Sequence, residues 1–170
     1  MIFGLFKSKK QRAMEMFNRI SEDTIRDALK ERGIEIGECD DVNDFCVKSA
    51  KSIARIIFNH LGIESGKASK DDIFTAGLFV LGAGNYVTHM MGGNFEIASG
   101  AGVLMFYDEE EVDNSGDLTA ETLDVYNSMM GKNREGVLLM STISIFFEKS
   151  GKQHLDDLIG FYKLVRDGSA

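Results

Sequence analysis

Apolar positions recur along this chain at the three-and-four spacing of a helix, and glycine does the interrupting that proline does elsewhere. Near the start, Ala13, Met16, Phe17 and Ile20 fall on one face of a helix predicted over residues 8–20. Ser21, with acidic residues behind it, has the composition of an N-cap, which predicts a second helix ending at Arg32 before Gly33. A loop over residues 34–41 follows. The next helix is expected over residues 42–61, with Phe45, Ser49, Ile53, Ile56, Ile57 and His60 along one side and Gly62 behind it. Ser69 and Asp72 stand at capping-box spacing, with aspartate in place of glutamate, and open a further helix.

The stretch from Ile73 to Phe95 carries no formal charge, and Glu96 is the only charge before Tyr107. Its length suits a membrane span. Asn85, Thr88, His89 and Asn94 interrupt it, however, and Gly92 and Gly93 divide it. Two buried helices over residues 70–91 and 95–110, forming a central hairpin, account better for this pattern. Seven of the 18 glycines lie between Ile73 and Tyr107, and Gly77, Ala98 and Gly102 suit close helix contact.

Residues 108–117 read as an acidic loop, followed by a helix over residues 119–130. Residues 134–149 are apolar nearly all round, and their isoleucine and phenylalanine content fits a helix or a buried strand. A last helix is predicted over residues 152–166, with Leu155, Leu158, Ile159, Tyr162 and Val165 at helical spacing. No repeat or linker is visible. The expectation is an all-α single domain over residues 1–170, a bundle of seven or eight helices around the glycine-rich hairpin at 70–110.

Composition narrows the function classes. Apolar residues make up 44 % of 170 positions, enough for one core. Proline is absent, whereas average usage of roughly 5 % would place about eight; uninterrupted helices are favoured. The net charge of −8 argues against nucleic acid, whose affinity comes mostly from phosphate neutralisation. At the N-terminus the basic residues follow the apolar ones, the reverse of a secretory signal. With only Cys39 and Cys46 and no glycosylation sequon, a reducing, cytoplasmic setting is expected.

Candidate chemistry is sparse. Gly82 and Gly84 echo a dinucleotide-binding turn, but Val87 stands where a third glycine is needed, and helix packing explains them better. Gly62, Gly66 and Lys67 echo a phosphate loop with the wrong spacing, and Ala68 lacks the required hydroxyl. His60, His89 and His154 stand on different predicted helices, and no catalytic residue is nominated. The most specific local pattern covers residues 111–122. It resembles the calcium loop of the EF-hand family, which implies oxygen ligands at Glu111, Asp113, Ser115, the Asp117 carbonyl and Thr119, with a sharp turn at Gly116. Glu111 replaces the usual aspartate and Thr122 the bidentate glutamate, so an acidic turn capping a helix is the favoured alternative.

Charge is distributed unevenly. Residues 1–20 hold five bases and one acid, residues 21–47 nine acids against three bases, and residues 108–124 eight acids and no base. Concentrated negative charge attracts a basic partner and speeds encounter. The leading expectation is a non-enzymatic binding module of adaptor, regulatory or toxin-neutralising (immunity) type that engages a basic protein. Its contact surface is expected at Asp108, Glu109, Glu110, Glu111, Asp113 and Asp117. The alternatives are a calcium-responsive module using residues 111–122 and, from the uncharged residues 73–95, a carrier of an apolar ligand or lipid or a membrane-associating, membrane-inserting helical protein. Ile2, Phe3, Leu5 and Phe6 beside four bases also suggest weak peripheral membrane contact through residues 1–12.

Overall fold

A computed structural model describes residues 8–131 and 134–168. Its helices in chain order are α1 (Lys9–Glu31), α2 (Val42–Leu61), α3 (Lys70–Met91), α4 (Phe95–Glu109), α5 (Ser115–Gly131), α6 (Arg134–Glu148) and α7 (Lys152–Arg166). Among the described residues there is no strand. The all-α bundle is therefore as expected, and residues 134–148 resolve as helix, with Leu139, Ile143, Phe146 and Phe147 buried at helical spacing.

Two boundaries are corrected, and the simpler is that α5 begins at Ser115, inside the loop expected over residues 108–117 and four residues before the expected helix start at 119. The two helices expected on either side of Ser21 are a single helix, α1. Its start is fixed at Ser8, where the Gln11 amide donates to the Ser8 hydroxyl (3.1 Å) and the Ser8 amide to the Gln11 side chain (2.8 Å). No glycine or proline lies between there and Glu31, so the helix propagates through Ser21, which is buried in its interior. Gly62 and Gly92, both in the left-handed region with φ of 68° and 71°, close α2 and α3.

Helix α3 is the axis of the bundle and packs against all six other helices. Its glycines make that density achievable. A Cβ at Gly77 would stand 2.1 Å from the Tyr107 hydroxyl of α4, one at Gly82 2.4 Å from Ile143 of α6, and one at Gly84 3.2 Å from the backbone of Ser99. Each missing side chain is thus filled by a neighbour, and the glycine pattern read as helix packing is used as such. The hairpin partner α4 corrects the expectation of full burial. It covers α3 with Ala98, Ser99, Gly102, Val103, Phe106 and Tyr107, while Ile97, Leu104 and Met105 remain exposed on its outer side. Among the described residues no helix is long and apolar enough to cross a membrane.

Polar ties lock the surrounding helices onto α3. All four tyrosine hydroxyls lie on or against that helix. Tyr107 shares a 2.7 Å hydrogen bond with Thr122 of α5 beside Gly77. Asn85 donates to the Tyr126 hydroxyl (3.0 Å), and Tyr162 of α7 donates to the Asp72 carbonyl (3.0 Å). Tyr86 of α3 itself donates to Glu148 (3.2 Å) and stacks on Phe147. At the far end of α1, the Arg32 side chain is only 4 % exposed. Its guanidinium donates to the Ala28 carbonyl (2.7 Å) and to the Lys149 carbonyl at the end of α6 (3.0 Å), and lies over the Phe146 ring.

Candidate functional site

The acidic stretch is built around the reversal between α4 and α5. The amide of Val112 donates to the Tyr107 carbonyl (3.0 Å) and that of Glu111 to the Asp108 carbonyl (3.2 Å). This is the hydrogen-bond pair of a Schellman turn, which places residue 111 in the left-handed region usually given to glycine. Glu111 adopts it with φ of 56°, and Asn114 follows with φ of 57° before α5 begins. The turn tucks Val112 against the core and throws the carboxylates to two different sides.

On the first side the acids are used internally. Glu109 forms an ion pair with Lys51 of α2 and approaches Arg55 at 3.5 Å. Glu110 accepts from the Ser65 hydroxyl (3.0 Å) and the Gly66 amide (2.8 Å), tying down the loop that follows α2. Asp108 accepts from the Ser115 hydroxyl at 2.6 Å, across the reversal. Three of the six residues expected to form a contact surface therefore brace the fold.

On the second side lies a cleft of about 300 Å³ between the start of α3 and α5. Ile73, Val112 and Leu118 line its apolar floor, Asp113, Asp117 and Glu121 its acidic rim, and Lys70 its far wall. Asp117, Glu121 and Asp124 follow one another on one exposed face of α5 at helical spacing. Asp113 and Asp117 were anticipated as contact residues, whereas Glu121 and the wall from α3 were not. The spacing of Asp117, Glu121 and Asp124 was a usable sign; the approach of Lys70 and Ile73 has no local signature.

The loop geometry implied by the EF-hand resemblance is not adopted. Helix α5 begins at Ser115, so Ser115, Gly116, Asp117 and Thr119 lie on a helix instead of wrapping a cation, and Gly116 makes no turn with positive φ. Thr119 donates to the Ser115 carbonyl (2.7 Å), and Thr122 is fully buried against Tyr107. The reason is local: the Asp117 and Leu118 amides both bond back to the Asn114 carbonyl, closing a helical turn where the loop should stay open. Among the described residues no three histidine, cysteine, aspartate or glutamate side chains gather closely enough to hold a metal ion.

Other candidates stay dispersed. His154 stands 3.9 Å from Asp157 and His60 3.9 Å from Asp156, both beyond hydrogen-bonding distance. Burial pushes the Cys46 thiol up to about 12 and also raises that of Cys39, the opposite of thiolate activation. The Gly82 and Gly84 segment lies inside α3, with no strand ahead of it. Ile2, Phe3, Leu5 and Phe6 lie outside the described residues. Comparison of the chain with protein-family models, curated proteins and solved structures finds no match in any of the three.

Proposed function

We propose that the protein is a non-enzymatic docking module whose cleft between α3 and α5 receives a basic amphipathic segment of a protein partner. The observation that carries this reading is the pairing of an apolar floor (Ile73, Val112, Leu118) with an acidic rim (Asp113, Asp117, Glu121). An apolar side chain from the partner removes the floor from water, and lysines or arginines flanking it meet the rim. Floor burial supplies affinity, while exposed rim charges act chiefly on encounter rate and partner choice. An adaptor, a regulatory subunit or a toxin-neutralising protein would each fit this reading.

The test uses a synthetic helical peptide with a leucine face and a lysine face, and a control with glutamate in place of lysine. The lysine peptide is expected to shift backbone amide resonances around residues 70–73 and 112–121, increasingly so at low salt. In the Asp117→Lys/Glu121→Lys variant its association should slow by about tenfold or more. Resonance changes scattered over the whole surface, or unchanged binding by that variant, would sink the proposal. Reversing Glu109 is a poor test, because it sets a lysine against Lys51 and Arg55.

A further inference from the structure

Helix α1 divides into two unlike halves. From Ile25 onward it is docked through Ile25, Ala28 and Leu29. Before that, every residue from Ser8 to Ile20 is exposed except Asn18, which is half-buried. This half nevertheless carries large apolar side chains: Met14, off to one side, is 61 % exposed, and Met16 is 66 %, Phe17 54 % and Ile20 55 % exposed. Ala13, Met16, Phe17 and Ile20 form one stripe, and at 3.6 residues per turn it lies roughly a third of a turn away from the docking stripe. The exposed stripe is therefore no mere extension of the packing face.

Charge says what kind of surface the stripe suits. Residues 8–20 hold Lys9, Lys10, Arg12 and Arg19 against Glu15, on a chain whose net charge is −8. Arg12 and Arg19 border one side of the stripe, Lys10 the other, and Lys9 stands at its outer end. Among the described residues, none of the four bases Lys9, Lys10, Arg12 and Arg19 takes part in an ion pair. Two copies pairing stripe to stripe would bring like-charged borders together. An apolar band with basic margins instead matches the boundary between acyl chains and acidic headgroups.

We propose that the N-terminal half of α1 is a peripheral anchor that lies in the surface of a bilayer containing anionic lipid. The apolar stripe enters the acyl boundary and the arginines and lysines meet the headgroups, while the acidic bundle is held away by repulsion from the same charges. The cleft between α3 and α5 is a separate surface, so the anchor stands or falls independently of the docking reading.

The test is co-flotation of the full chain with vesicles of phosphatidylcholine alone and of phosphatidylcholine mixed with phosphatidylserine. Binding to the mixed vesicles, weakened by salt and absent from the neutral ones, is expected. Phe17→Ser/Ile20→Ser should lower that binding by about a hundredfold, at about tenfold for each large side chain no longer buried. Arg12→Gln/Arg19→Gln should lower it by about tenfold or more. Both pairs of positions are exposed, and unchanged circular dichroism and melting would establish that the bundle persists. Absence of flotation, equal flotation with both vesicle types, or indifference to these variants would overturn the proposal. So would vesicle-free self-association that the same variants abolish without any flotation. Asp117→Lys/Glu121→Lys is expected to float at least as well as the parent, whatever it does to peptide docking.

Discussion

Phe79 of α3 and Phe17 of α1 belong to apolar stretches that look alike in one dimension, yet Phe79 is fully buried and Phe17 is 54 % exposed. Around Phe79 every side of the helix has a neighbour: Phe161 and Tyr162 of α7 close over the ring at centroid distances of 5.9 and 5.5 Å. Around Phe17 the same apolar spacing meets water. Helical periodicity identifies a face that wants cover, but what covers it depends on contacts distant in sequence. The contrast separates apolar residues that hold the molecule together from those open to something outside it.

The broadest break in that contrast is alkaline titration, because all four tyrosines sit on or against α3 and none is in the exposed half of α1. Burial holds all four phenols above the ordinary value of 10.0, with Tyr107 at about 12; Glu148 adds to the rise at Tyr86 and Asp72 to that at Tyr162. A folded-state value raised above the unfolded one contributes stability that is whole below about 10 and drains away as pH rises through about 12. Tyrosinate absorbance should therefore appear together with loss of helical circular dichroism, in one cooperative step. Ionisation near pH 10 with the helices intact would show that the hydroxyls around α3 are wet.

At single positions, Phe79→Ala should cost about 3–5 kcal/mol in urea unfolding, whereas Phe17→Ala should stay within about 0.5 kcal/mol. Similar losses at the two sites would remove the distinction between the halves of α1 and with it the case for an exposed anchor. Arg32→Met sharpens the docked end of α1. It deletes charge-assisted bonds to the Ala28 and Lys149 carbonyls, and a loss of about 2–3 kcal/mol is expected from the abandoned acceptors. The methionine stem still covers Phe146, so a much smaller loss would mean that ring packing outweighs the hydrogen bonds.

Much of the fold was legible where a boundary is written locally. Helices α2 and α7 have the limits expected, and the α3–α4 break falls at Gly92 with Asn94 capping the next helix. Ser21 misled because N-cap chemistry is permissive: a serine before acids can cap a helix, but nothing there stops one already running. The site was legible only in part. Charge counting found the acidic stretch between α4 and α5, yet could not sort it, because Lys51, Ser65 and Gly66, which occupy Glu109 and Glu110, lie far back in the chain. Likewise the EF-hand resemblance spans residues 111–122 with departures at both ends, Glu111 and Thr122, while the Asn114 carbonyl and buried Thr122 decided the backbone path.

The finest division lies between glycines that admit a neighbour and glycines that face open space. At Gly77 an alanine methyl would collide with the Tyr107 ring, 2.8 Å from Cζ and 2.1 Å from the hydroxyl, while nothing lies within 4 Å of one at Gly160. Alanine improves helix propensity by about 1 kcal/mol at either site. At Gly160 that gain stands alone, so Gly160→Ala should stabilise by up to about 1 kcal/mol. At Gly77 it is opposed by overpacking of about 1–3 kcal/mol and by disruption of the Tyr107–Thr122 bond at about 1 kcal/mol, so a net loss of about 2 kcal/mol is expected. Tyr107→Phe removes the nearest colliding atom and the bond together. The double variant Gly77→Ala/Tyr107→Phe should therefore lose less than the two single losses added, by about 0.5–1 kcal/mol. Strict additivity in urea unfolding would mean that the Tyr107 hydroxyl does not need the space Gly77 leaves, and the close approach of α4 to α3 would then rest on the other small residues alone.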